Sequence, residues 1–187
     1  MANKNTQGFG LIPGDRLGNT PAISGQSKYF IDAGVAGAIY NGSAVKSAAG
    51  YIVNGQGSAA PVVGVLNGVF FNAATTLKPT FANFYSGSIT PANSEDITAF
   101  VNDDPFQNYI VATDDAVAQA GYLETYDMNT TAGSSTTGKS SATLDIGTTG
   151  ADDKQYRLLR SAEDPSNDTN AAFRSAIVVA NLLELQS

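Results

Sequence analysis

The chain reads as a mainly β protein, a small antiparallel β-barrel or sandwich with an extended N-terminal arm and long loops. Three observations predict this. Short apolar runs recur between Gly- and Asn-rich turn signals, the pattern of short hairpin-connected strands. No 3.6-residue apolar stripe survives the glycines, which argues against helices. Gly, Asn, Ser and Thr make up more than a third of the 187 residues, and 7 prolines add to the punctuation.

The segment 1–27 holds Gly8, Gly10, Pro13, Gly14, Gly18, Pro21 and Gly25. That density of breakers forbids a helix and a long strand alike. Its apolar anchors are Phe9, Leu11 and Ile12, with Ile23 further on. It is expected to be an arm lying on another surface, and a frayed terminus is the bland alternative. The remainder, 28–187, is expected to form the β-rich core, with room for two small β subdomains.

From Lys28 the texture changes. Tyr29-Phe30-Ile31 and Ala38-Ile39-Tyr40 lead to Asn41-Gly42, a tight-turn dipeptide. Ala44-Val45 and Gly50-Tyr51-Ile52-Val53 follow, closed by Asn54-Gly55-Gln56-Gly57. Pro61-Val62-Val63-Gly64-Val65-Leu66 meets a second turn signal, Asn67-Gly68, before Val69-Phe70-Phe71. Strands are predicted over 81–85, 97–101 and 106–111, the last of which alternates. Asp115–Ala120 is the one candidate for a short helix. Residues 129–150 read as a long loop and then a brief strand anchored by Leu144 and Ile146. Tyr156–Arg160 is a further strand. The β-branched run Ile177-Val178-Val179, inside Ser175–Leu185, predicts a central strand.

Composition excludes several functions. The chain has no His, Cys or Trp. A Ser-His-Asp or Cys-His nucleophile, an N/S-liganded zinc site and a disulfide are therefore ruled out. With 10 Lys+Arg against 17 Asp+Glu, the net charge of −7 opposes nucleic-acid binding. The opening Met1–Gln7 stretch has no apolar h-region. No stretch reaches the ~18 apolar residues of a membrane span. Synthesis in a cytoplasm, with no membrane partner, is expected. Charged residues are only 14% of the chain, below the roughly 25% of an average soluble domain. A neutral polar surface can be covered by neighbours at low desolvation cost, so the chain suits an assembled protein.

Two patterns suggest chemistry. Gly133, Gly138, Lys139 and Ser140 complete G-x-x-x-x-G-K-[ST], the phosphate-binding loop. That loop needs a buried parallel strand before it and a helix after it. Thr125–Thr131 is too polar for such a strand, and Ser141–Gly147 is no helix start. The match is read as chance, and no nucleotide or other cofactor is expected. The pairs Asp103-Asp104, Asp114-Asp115 and Asp152-Asp153 carry the carboxylates a glycosidase or a Ca²⁺ site would need. Adjacent strand residues point to opposite faces, so they read as solvated loop charges.

Several stretches together resemble a family. Gly8-Phe9-Gly10-Leu11-Ile12-Pro13, Ile39-Tyr40-Asn41-Gly42-Ser43-Ala44-Val45 and Gly50-Tyr51-Ile52 are similar to small virion proteins of tailed bacteriophages. So are Pro61–Gly68 and the terminal turn Asp164-Pro165-Ser166-Asn167. The ending Ala180-Asn181-Leu182-Leu183 is more apolar than that pattern. The chain thus resembles head decoration (cement) proteins such as those of marine podoviruses.

The resemblance implies a non-enzymatic protein on the capsid exterior. Its partners would be the major capsid protein and further copies of itself, as a dimer or trimer. Phe9, Leu11 and Arg16 are the arm residues expected to make those contacts, and a 28–187 fragment is expected to fold without them. The rivals are another virion component (tail, fibre or major capsid protein), a carboxylate-based glycosidase, an ATPase using the apparent phosphate loop, and a bacterial surface module.

Overall fold

A computed structural model describes residues 3–18, 21, 25–150, 152–168 and 170–186. Among the described residues twelve strands form two antiparallel sheets of six, arranged as a sandwich and not a closed barrel. They are β1 (Ile12–Arg16), β2 (Ser27–Ile31), β3 (Ala44–Ala48), β4 (Tyr51–Asn54), β5 (Gly64–Asn72) and β6 (Pro79–Ala82). The second half supplies β7 (Ile97–Asn102), β8 (Gln107–Ala112), β9 (Thr125–Met128), β10 (Leu144–Gly150), β11 (Tyr156–Ser161) and β12 (Ser175–Ala180). Among the described residues the helical elements are single 3-10 turns at Ala92–Ser94, Gln119–Gly121 and Glu184–Gln186. The candidate helix at 115–120 is thus reduced to one turn shifted toward its end.

The first sheet has the order β1-β8-β12-β11-β9-β10. As its composition predicts, β12 is interior, between β8 and β11. The second sheet runs β2-β7-β5-β3-β4, with β6 also on β5. Its two ends, β2 and β4, curl back into contact. Each sheet thereby organises a core. One cluster holds Leu11, Ala44, Val65, Tyr109, Val111, Tyr126, Leu144, Tyr156, Leu158 and Val178, joining the two sheets. The other fills the curl of the second sheet with Ile31, Ile39, Val45, Ile52, Leu66, Val69, Tyr85 and Ile97. In the first cluster Tyr109 and Tyr156 meet edge to face, their ring centroids 6.3 Å apart, the arrangement an aromatic quadrupole favours.

Two turn expectations part company. Asn41-Gly42 does turn the chain, with the Ser43 amide donating to the Tyr40 carbonyl at 3.0 Å. Asn67-Gly68 does not, because β5 runs straight through it. The signal is absorbed as a bulge in the pairing of β5 with β7, between Leu66 and Gly68. Past the bulge β5 exchanges its neighbour β3 for β6. A Cβ at 68 would come within 2.6 Å of the Phe81 ring and 3.0 Å of the Ala82 carbonyl oxygen, so a side chain there would push the ring aside and crowd β6.

The polar segment Thr125–Met128 forms a strand buried at all four positions, between β11 and β10. It is antiparallel, which its polarity did not exclude, and its polar groups are supplied with partners. The Thr125 hydroxyl donates to the Gly150 carbonyl at 2.6 Å. The Gln155 amide donates to Asp127 Oδ1 at 3.2 Å, and Lys154 Nζ lies 3.7 Å from Asp127 Oδ2. Buried polar groups are tolerated where they are paired, and β9 meets that condition.

Candidate functional site: the docked arm and its rim

The arm is tied down from Asn3 to Leu17. The Asn3 side-chain amide donates to the carbonyls of Asp168, Ala171 and Ala172 at 3.2, 3.2 and 2.8 Å. Asn5 Nδ2 donates to Ser175 Oγ at 3.0 Å. At Gly8 an added Cβ would sit 2.1 Å from the Ser141 carbonyl oxygen, so the backbone enters a slot no other residue could use. The Gly10 amide then donates to Ala142 and the Leu11 amide to Gly42, at 3.0 and 2.9 Å. From Ile12 the chain becomes β1 and pairs antiparallel with β8, bulging between Pro13 and Arg16. Residues 3–16 therefore pack on their own chain, and 12–16 are an edge strand of its first sheet.

This placement separates the three arm residues. Leu11 is 1% exposed and lies in the core that joins the sheets. Its expected role as a partner contact is corrected, because its side chain is consumed inside the molecule. Phe9 is half-buried. Arg16 is half-buried, with Nε 2.7 Å and Nη2 3.2 Å from the two Asp104 oxygens, a bidentate ion pair. Its guanidinium also lies 5.8 Å from the centre of the Phe106 ring.

Around Arg16 the arm presents a rim that sequence reasoning missed. Leu17 donates its amide to the Phe106 carbonyl at 2.9 Å, holding the two side by side. Phe106 and Leu17 are 52% and 41% exposed, and Ile12, 45% exposed, lies at the far end of β1. Apolar side chains that open to solvent beside an immobilised arginine can desolvate a partner and fix its orientation. Alternation over 106–111 was the one available signal, since it puts Phe106 on the face opposite the buried Tyr109 and Val111, although it does not name the ring's neighbours.

The acidic pairs are engaged in structure. Asp103 Oδ2 accepts the Tyr29 hydroxyl at 2.7 Å. Burial, reinforced by that carboxylate, pushes the Tyr29 phenol up to about 12. Asp152 pairs with Arg157, and Asp153 lies 3.7 Å from Lys154. Asp114 is half-buried and lines a cleft of about 440 Å³ between the arm and the first sheet. Its Oδ1 accepts the Ile146 amide at 2.9 Å. Burial holds its carboxyl above the ordinary range, with the Asp145 charge adding to the effect and the Ile146 amide opposing it.

The raised pKa means the folded chain holds this proton more tightly than the unfolded chain. Its contribution to stability is present at low pH and is lost as pH rises through the folded value. Asp114→Asn keeps an acceptor for Ile146 and carries no charge. Its stability relative to the parent should be higher at pH 7 than at about pH 4, read by urea denaturation at both. An equal difference at the two values would contradict the assignment.

The phosphate-loop match closes on itself. Ser134 and Gly138 donate their amides to the carbonyls of Lys139 and Ser134, at 2.9 and 2.7 Å. Ser140 donates to Asn41 at 2.9 Å. Lys139 is exposed, and the chain continues as loop into β10 with no intervening helix. These amides point at carbonyls, so they do not form an anion cradle.

Among the described residues no three His, Cys, Asp or Glu side chains are grouped to hold a metal ion. No described helix is long and apolar enough to cross a membrane. No protein-family model, curated protein or solved structure matches this chain.

Proposed function

We propose that this chain is a structural virion protein of a tailed bacteriophage, a decoration protein that binds the outside of the assembled capsid and stabilises it without catalysis. The observation that carries this reading is the exposed pair Leu17 and Phe106 beside the ion-paired Arg16. Aromatic and arginine side chains held rigidly at a surface dominate the energy of protein contacts. The sequence resemblance and the low charge point the same way. The partner is the major capsid protein. Modest contacts repeated over a shell add up through multivalency, and a protein that binds only the assembled state stabilises it by mass action.

The test is binding to purified expanded capsids. Leu17→Ser with Phe106→Ser removes two exposed side chains and no core, so the melting temperature should hold. Affinity should fall about tenfold or more. Undiminished binding by the variant sinks the rim assignment. Copy number is an independent check on purified virions. A decoration protein stands in a simple ratio to the major capsid protein, and a count of a few tens per particle would favour a tail component instead.

A further inference from the structure

We infer that the cleft between the arm and the first sheet is a saccharide-binding site. It lies at one end of that sheet, where β8 and β9 finish and β10 and β12 begin. Its volume of about 440 Å³ falls among those of small-molecule sites, roughly 300–1,000 Å³. The arm supplies one wall with Thr6 and Gln7. The segments at the sheet's end supply Asp114, Thr131, Ser141 and Phe173.

The polar groups that face this cleft are unpaired. Among the described residues the side chains of Thr6, Gln7, Thr131 and Ser141 make no hydrogen bond within the chain, and Asp114 accepts through Oδ1 alone. The groups that hold the walls, by contrast, are engaged. Asn129 Oδ1 accepts the amides of Thr131 and Thr143 at 3.2 and 3.1 Å, and its Nδ2 donates to Thr143 Oγ1. The Phe173 amide donates to the Thr113 carbonyl at 2.8 Å, and the Thr113 amide donates to the Arg174 carbonyl at 2.9 Å. This pairing holds Phe173 at a φ of 59°, a left-handed conformation that a bulky residue adopts only where its surroundings impose it. The cleft is thus built before a ligand arrives, and little has to be ordered on binding.

The chemistry of the lining selects the ligand. No Lys or Arg lines the cleft, so a phosphate or carboxylate would find no counter-charge. Asp114 is its single carboxylate, and a hard divalent cation is held by several. The lining suits a neutral ligand whose closely spaced hydroxyls both donate and accept, and which has an apolar side to lay against Phe173. A pyranose has both, with hydroxyls around its edge and C–H bonds on its face, and the negative face of an aromatic ring attracts C–H groups. Glycoside hydrolysis ordinarily needs two flanking carboxylates, so the role assigned here is binding.

This inference goes beyond the capsid reading and does not rest on it, since Arg16, Leu17 and Phe106 are not among the cleft's lining. The test is saturation-transfer NMR on the full chain with maltose, cellobiose, lactose and diacetylchitobiose, each titrated to about 20 mM so that a millimolar Kd is seen. A parallel titration uses n-butylamine as a cationic probe. At least one disaccharide should bind. Gln7→Ala with Thr131→Ala removes two exposed side chains that hold nothing in the fold. The urea midpoint should therefore stay, and saccharide affinity should fall about fivefold or more. Asp114→Asn should weaken saccharide binding by less than about tenfold, because an amide still hydrogen-bonds a hydroxyl. Leu17→Ser with Phe106→Ser should bind saccharide as the parent does.

Failure of all four disaccharides at the highest concentration overturns the inference and leaves the capsid reading standing. Undiminished binding by the Gln7→Ala, Thr131→Ala variant overturns it as well, because the sugar then sits elsewhere. If n-butylamine binds, Asp114→Asn abolishes that binding and no saccharide binds, the cleft is a cation site and the saccharide is wrong.

Discussion

Leu11→Ala is expected to lower global stability by about 3 kcal/mol, the usual cost of removing a large aliphatic side chain from a filled core. Leu11 is 1% exposed and belongs to the cluster that also holds Ala44 and Val65 of the second sheet and Val111 and Leu144 of the first. It is the point at which the arm is fastened to both layers. The loss should be visible in denaturant midpoint with little change in slope. Amide exchange should quicken first in β1, whose pairing with β8 depends on the arm staying seated. A loss under about 1 kcal/mol would mean that the arm is an appendage. The same packing bears on the 28–187 fragment, whose deletion removes Leu11 and an edge strand together. Weak capsid binding by that fragment would report a damaged core, which is why the exposed-rim variant is the fairer probe.

Arg174→Ala should be at least as costly, about 3–5 kcal/mol. Arg174 is 1% exposed and is among the largest fully buried side chains of the described chain. Its Nε donates to Ser161 Oγ at 2.5 Å, Nη1 to the Val117 carbonyl at 3.3 Å, and Nη2 to the Tyr122 hydroxyl. The guanidinium also stands 5.3 Å from the centre of the Tyr122 ring. Burial draws its pKa down from the usual arginine range.

Truncation leaves a cavity and, worse, leaves the acceptors around it unpaired. Arg174→Lys retains charge and most of the volume but has one donor centre in place of the fork. It should recover part of the loss and not all of it. Thermal and urea unfolding of the three proteins decides the matter. A lysine variant as stable as the parent would show that the fork geometry does not count.

These two residues mark where sequence reading stops. Leu11 was singled out, for the wrong surface. Between Gly10 and Ile12 it offers no period by which an inward side chain could be told from an outward one. Arg174 gave no signal at all, since an arginine beside Phe173 in a polar loop reads as a solvated charge. Arg16 was singled out as an arm contact, but the pairing with Asp104 that immobilises it joins residues 88 positions apart. The rim depends on that pairing, so Leu17 and Phe106 could not have been found from spacing alone. The cleft is similar. Its hydroxyls and amide are visible one by one, but only the seating of the arm brings Thr6 and Gln7 to the same cleft as Thr131 and Ser141.

The sequence alone determined the β class, most strand positions, the central place of β12 and the absence of cysteine or histidine chemistry. It could do so because alternation, β-branching and turn dipeptides act within a few residues, and an absent residue type is absent everywhere. Only the tertiary structure decided that the arm is a strand of the first sheet, that polar Thr125–Met128 is buried, and that Asn67-Gly68 is a bulge. Each of these turns on which distant strand lies alongside. Antiparallel pairing is a non-local choice, set by the total apolar surface two sheets can bury and by whether every covered polar group finds a partner.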